Sequence, residues 1–172
     1  AELVTPGEAL RPLPKDSAEP ALARFDRLRH ASGGTPTAKL RLDMQKLMQV
    51  DCAVFRTQET LDGGMARLRA LWGQRADIRV TDRSMIWNSD LVETLELDNL
   101  MAQAMVSLES ARNRTETRGA HAREDHPERD DDNWLKHTIV RLDEQGTMPI
   151  EYRPVHLNPL SNDVQSFPPK KR

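Results

Sequence analysis

Apolar residues return along this chain in four stripes, each with the spacing of an α-helix. Leu22, Phe25 and Leu28 predict a first helix from about Pro20 to Ala31, with Pro20 in the first turn and Gly33-Gly34 beyond its end. Thr35-Pro36 reads as a second start, Thr35 capping and Pro36 at the first helical position. Leu40, Met44, Leu47, Met48, Val54 and Phe55 follow at i, i+4, i+7, i+8, i+14 and i+15. A third stripe carries Leu61, Met65, Leu68, Leu71 and Trp72; Gly63-Gly64 within it weakens the helix or marks close approach by a neighbour, and Gly73 closes it. The longest stripe runs through Leu97, Leu100, Met101, Ala104, Met105, Leu108 and Ala111, with Asp90 and Glu93 at the spacing of a capping box.

Between these stripes, Ile78, Val80 and Thr81 predict a short extended piece. After them, Trp134–Leu142 and Met148–Tyr152 flank Asp143-Glu144-Gln145-Gly146 as a hairpin. The fold class expected is mainly α: a three-helix-bundle-like antiparallel helical domain with a small C-terminal β-hairpin appendage. The expected division is an irregular Pro-rich linker over 1–19, a helical bundle domain over 20–118, and a charged loop, hairpin and extended tail over 119–172. The absence of an initial Met, and Pro6, Pro12, Pro14 and Pro20 within the first twenty residues, look like a linker cut from a longer polypeptide.

Composition narrows the function classes. Lys+Arg number 25 against 27 Asp+Glu, a formal charge of −2, which argues against a general nucleic-acid binder. No apolar run approaches the ~20 residues that span a bilayer, and the first residues show neither the basic start nor the apolar block of a signal peptide. Cys52 is the single cysteine, so no internal disulfide framework exists; it reads as a small buried or half-buried side chain with no neighbouring His to act as base. Met44, Met48, Met65, Met101 and Met105 fall inside the stripes and read as core filling. There is no G-x-G-x-x-G, P-loop, C-x-x-C or H-E-x-x-H. The terminal Lys170-Lys171-Arg172 carries too few charges to imply nucleic-acid or lipid binding.

Candidate chemistry concentrates between Arg112 and Asp132. Arg112, Arg114, Arg118, Arg123 and Arg129 share this stretch with seven carboxylates, and hardly any large apolar side chain accompanies them. His121 and His126 around Glu124 and Asp125 suggest a metal site, but the spacing is irregular and the guanidinium groups weigh against a cation. His121 has the titration range of a general acid–base, yet no nucleophile or oxyanion-hole pattern stands beside it. The favoured reading is a loop held by Arg–carboxylate pairs and docked against another domain.

FRTQETLDGG (55–64), VTDRSMIWNSDLVETLELDNLM (80–101), ETRGAHARED (116–125), PERDDDNWLKHT (127–138) and EYRPV (151–155) together resemble the C-terminal part of the succinate dehydrogenase flavoprotein family. The resemblance runs from about Leu22 to Pro169; Thr117 stands where the family usually has Ser, and PPKKR lacks the aromatic residue that often closes its tail. It implies a helical domain packed behind FAD-binding and capping domains of the same chain. The parent would oxidise succinate to fumarate with FAD and pass electrons to an iron–sulfur subunit, in the citric acid cycle and respiratory chain (complex II). It would sit peripherally at the cytoplasmic face of the bacterial inner membrane.

The family's flavin-linking and substrate residues match nothing here, so no catalytic, cofactor-binding or metal residue is assigned. FAD is expected on the missing N-terminal part, none in this chain, and no activity from this chain alone. Arg118, His121, Arg123 and Asp125 are the expected interdomain contacts. Alternatives are the corresponding domain of fumarate reductase or L-aspartate oxidase, or a stand-alone helical interaction module.

Overall fold

A computed structural model describes residues 7, 9, 12–159, 161 and 163–167. Pro6, Pro168, Pro169 and the Lys170–Arg172 tail lie outside the described residues. The elements in order are α1 (Glu19–Arg29), β1 (Thr35–Pro36), α2 (Thr37–Asp51), α3 (Gln58–Gln74), β2 (Ile78–Arg79), α4 (Ser89–Asn113), α5 (Asp131–Trp134), β3 (Lys136–Val140) and β4 (Ile150–Pro154). A 3₁₀ turn over Arg75–Asp77 precedes β2. Helices α2, α3 and α4 pack mutually and α1 leans on α4, giving the expected mainly-α bundle. β3 and β4 pair antiparallel with Thr138 opposite Tyr152, the expected hairpin.

The core is the set of stripe residues whose burial drives the association of the helices. Leu40, Leu68, Leu97, Met101, Met105 and Leu108 are fully buried, with Met44 and Met65 nearly so and Met48 packed against them. Met148 from the segment before β4 belongs to the same cluster, and Val140 and Leu142 lean on it, so the hairpin is sealed to the bundle by apolar contact. Within this core, the Thr37 and Thr94 hydroxyls satisfy each other at 2.6 Å, and Thr94 Oγ1 donates onward to the Asp90 carbonyl at 2.7 Å. At the surface, Arg24 ties α1 to Asp98 of α4 at 3.0 Å, and Arg75 donates to the other Asp98 oxygen at 2.9 Å while stacking on Trp72.

The structure differs from the periodicity at several ends. Thr35 does not cap α2: Thr35-Pro36 pairs in parallel with Ile78-Arg79, and the Thr35 hydroxyl donates to Asp77. Pro36 is the N-cap position, and the helix starts at Thr37. α2 ends at Asp51, so Val54 and Phe55 lie outside it, 66% and 71% exposed; Cys52 is its C-cap and half-buried. The 3.6-residue phase continued past the true end because Val54 and Phe55 happen to fall in register.

α3 runs one residue past Gly73. α4 is capped by Asn88, whose Oδ1 accepts from Leu91 N at 2.8 Å; Asp90 instead receives Thr81 N and Oγ1, so there is no Asp90–Glu93 capping box. Leu22 and Leu100 belong to the stripes but remain exposed.

Gly64 shows the close approach. A Cβ there would stand 2.7 Å from Asp51 Cβ and 3.3 Å from Leu108 Cδ1, whereas at Gly63 it would meet only the flexible end of Arg67. Gly64 thus lets α3 lie against both α2 and α4. Gly64→Ala is expected to lose about 1–3 kcal/mol of stability from overpacking, despite a helix-propensity gain of ~1 kcal/mol; Gly63→Ala should be neutral or stabilising. Urea unfolding of the two variants checks this contrast.

Candidate functional site

After α4 the chain has no helix or strand until α5, yet it is held tightly, because charged side chains two residues apart pair with each other. Arg114 and Arg118 both donate to Glu116, Arg118 at 2.7 Å; Arg123 grips Asp125 and Arg129 grips Asp131, each at 2.8 Å. In non-helical chain, residues i and i+2 can fall on one side, so this spacing turns a charge-rich segment into local clasps.

Glu116 is the deepest acid, with no exposed surface. Burial alone would raise its pKa, but Arg118, the Asp130 N–H at 2.9 Å and Arg114 outweigh it and hold the carboxyl below its ordinary range. Arg118 bridges onward to Asp131 at 2.6 Å. Arg129 first and Arg118 second pull the Asp131 pKa down to about 2.

Arg123, 1% exposed, is the matching buried cation. Its guanidinium serves both Asp125 oxygens, Gln58 Oε1 at 3.0 Å and the Arg114 carbonyl at 3.0 Å. Asp125 in turn accepts the Gln58 N–H at 2.7 Å, placing a carboxylate at the start of α3, where a helix N-terminus favours negative charge. Arg123 and the Gln58 N–H hold the Asp125 pKa far below the usual carboxylate range. The loop therefore straps the α2–α3 connection to the C-terminal end of α4.

His121 stands between two guanidinium-bearing segments. Its Nδ1 faces Arg56 Nη1 at 2.9 Å and its Nε2 faces the Arg114 carbonyl at 3.2 Å. Arg56 has only protons to give, so Nδ1 accepts and Nε2–H donates, which defines a neutral imidazole. Burial, with the charges of Arg56, Arg123 and Arg114, pushes its pKa below the ordinary value despite the hydrogen bond to the Arg114 carbonyl.

Arg56, Arg114, Arg118 and His121 line a groove of about 850 Å³ between α4 and β3, whose wall also includes Met48, Cys52 and Val106. Sequence reading saw no His near Cys52; the fold brings His121 to the same groove, although its Nδ1 is taken by Arg56. Burial pushes the Cys52 thiol pKa up.

Arg118, His121, Arg123 and Asp125 are thus gathered in one network with Arg114, Glu116 and Asp131 of the same charged stretch and with Arg56 and Gln58, which no sequence pattern singled out. The i, i+2 alternation of sign was the signal for the pairs within the stretch; nothing local signalled Arg56 or Gln58. His126 joins the loop through its backbone, its carbonyl accepting from Thr117 Oγ1 at 2.8 Å and its N–H donating to the Arg123 carbonyl. Among the described residues, no group of three or more His, Cys, Asp or Glu side chains is placed to hold a metal ion. At the groove's other side Lys136 Nζ sits 3.9 Å from the Tyr152 ring and 4.7 Å from that of Trp134, and Tyr152 donates to Asn113.

Breaking a buried pair leaves its partner uncompensated, so Glu116→Gln, which faces two guanidinium groups, should cost about 3–5 kcal/mol in urea unfolding. Asp43→Asn, which loses only the exposed Lys39–Asp43 pair, should cost under about 1 kcal/mol. A second expectation concerns pH. Because the His121 pKa is depressed on folding, the unfolded chain binds the extra proton more readily, and stability falls as the pH drops below the ordinary histidine value of about 6.5. That component should be full above pH ~6.5 and absent in His121→Gln, as read from unfolding midpoints between roughly pH 7 and 5.

A family model described as the fumarate reductase flavoprotein C-terminal region matches residues 41–172. The mitochondrial succinate dehydrogenase [ubiquinone] flavoprotein subunit of Oryza sativa is 49% identical over 172 residues, covering 100% of this chain and 27% of its own length. The succinate dehydrogenase flavoprotein subunit of Rickettsia bellii is also 49% identical over the whole chain, which spans 29% of it. Among solved structures, an Escherichia coli quinol fumarate reductase superposes with a TM-score of 0.79 at 34% identity, over 94% of this chain and 27% of its own. The chain therefore spans under a third of the relatives it matches. With the bundle and its charged strap in place, the match over residues 41–172 means that this chain belongs to the fumarate reductase flavoprotein C-terminal family.

Proposed function

We propose that this chain is the C-terminal helical domain of a succinate dehydrogenase flavoprotein subunit, an FAD-dependent oxidoreductase that converts succinate to fumarate. The observation that carries the reading is identity: 49% over all 172 residues to dehydrogenase subunits, against 34% to the fumarate reductase structure. The fumarate reductase frame is the second reading, supported by the superposition at a TM-score of 0.79.

Two helix N-termini of this chain support placing FAD elsewhere in the subunit. A dinucleotide pyrophosphate needs glycine-lined backbone at an open helix N-terminus. Here the N-terminus of α3 is taken by the Asp125 carboxylate and a Thr57–Thr60 capping box, and that of α4 by Asn88. Gly33 backs onto the Asp77 carbonyl and Gly64 onto Asp51. The reading therefore assigns the flavin and the substrate groups to the remainder of the subunit, and gives this domain a bracing role. No helix among the described residues is long and apolar enough to cross a membrane, which fits attachment to a membrane through other subunits, with an iron–sulfur subunit as electron acceptor.

Bracing is assigned to the strap, with Arg118, His121, Arg123 and Asp125 as the groups that set its shape toward the neighbouring domains. In the full-length subunit, Arg118→Ala should lower flavin content and complex assembly while leaving turnover per bound flavin near the wild-type value. Flavin absorbance and succinate oxidation with an artificial acceptor measure both; full flavin content and normal assembly would refute the role. Succinate turnover by the 172-residue chain alone, supplied with FAD, would refute the wider reading.

A further inference from the structure

The turn before α4 carries the most exposed apolar group among the described residues. Met85, Ile86 and Trp87 are 63%, 77% and 98% exposed. Trp87 has φ +53°, a left-handed conformation that costs a bulky side chain energy and that glycine would adopt freely.

This turn is nevertheless clamped. Asn88 Nδ2 donates to the Asp82 carbonyl at 2.6 Å and to the Ser84 carbonyl at 3.0 Å, while Asn88 Oδ1 caps α4. Asp82 accepts Ser84 N at 2.8 Å, and the Asp90 carboxylate holds Thr81. From α1, Arg29 Nε donates to the Arg83 carbonyl at 2.8 Å. A fixed, strained turn that holds three apolar side chains in water is unfavourable for this chain by itself, and is the form of a preorganised docking element. Beside it, Phe25, Val92 and Leu95 extend the apolar surface as a groove of about 460 Å³.

We propose that the Met85–Ile86–Trp87 turn docks on the polypeptide that precedes this domain in the flavoprotein subunit, with Trp87 as the anchor in an apolar recess. This rests on the reading under Proposed function. This C-terminal match takes up 27% of the rice protein and 29% of the Rickettsia protein, so most of each lies outside it. A chain arriving from that side enters through α1, whose Phe25 lines the same groove as Trp87. The tether gives such a partner a high effective concentration at this face. The clamp has set the turn's shape beforehand, so little ordering cost remains on docking.

Hydroxyl-radical footprinting of the full-length, flavin-loaded subunit and of the 172-residue chain tests this. Oxidation at Met85 and Trp87 should be about fivefold or more slower in the full-length subunit, as expected when side chains leave open solvent for a dry interface core. In full-length Trp87→Gly, which keeps the backbone and removes the anchor, Met85 should return to the rate of the shorter chain; Trp87→Phe should keep most of its protection. Equal rates in both forms would overturn the proposal. So would protection that appears only when a separate subunit is added, or only as protein concentration rises. Flavin content of the same sample reports on the reading beneath it: protection in a flavin-free product would overturn the flavoprotein as the partner.

Discussion

A buried guanidinium organises this domain. Arg123 has almost no exposed surface and no apolar alternative, so each of its donors must meet an acceptor or the loop cannot close. Its acceptors come from three places: Asp125 on the same loop, Gln58 at the start of α3, and carbonyls at the end of α4. One side chain thereby joins the ends of two core helices. Glu116 repeats the scheme with opposite sign, gathering Arg114, Arg118 and the Asp130 N–H. Such sites contribute little net stability compared with apolar packing of the same volume, but they penalise any other arrangement heavily. The bundle supplies the stability, and the charges fix where the strap goes.

The helical stripes were readable because an apolar face at 3.6-residue spacing must be buried somewhere. Leu40, Leu68, Met101, Met105 and Leu108 fall in the core for that reason. Helix ends were less legible, since they depend on competing local partners. Thr35 has the chemistry of a cap but spends its hydroxyl on Asp77, and Asp90 has the spacing of a capping box but holds Thr81. The parallel pairing of Thr35-Pro36 with Ile78-Arg79 joins residues far apart in sequence, and no local pattern announces it.

Among the charged residues, composition revealed a dense mixed cluster but not its direction. Composition alone does not say which of these groups satisfy one another inside the chain. Arg123, Asp125 and His121 find partners inside the chain, including Arg56 and Gln58 from a different segment. His121 shows why this matters: its neutral tautomer follows from having a cation on one nitrogen and a carbonyl on the other, and neither neighbour is adjacent in sequence.

The i, i+2 clasps also govern which length changes the strap accepts. One extra residue between Arg114 and Glu116, or between Arg123 and Asp125, would turn a partner to the opposite side and open a clasp. The turn at Gly119-Ala120 between Arg118 and His121, where Gly119 has φ +60°, lies between clasps and is free of that geometric rule. Insertions and deletions among relatives of this domain should therefore gather between the paired positions and spare the single residue that separates each pair.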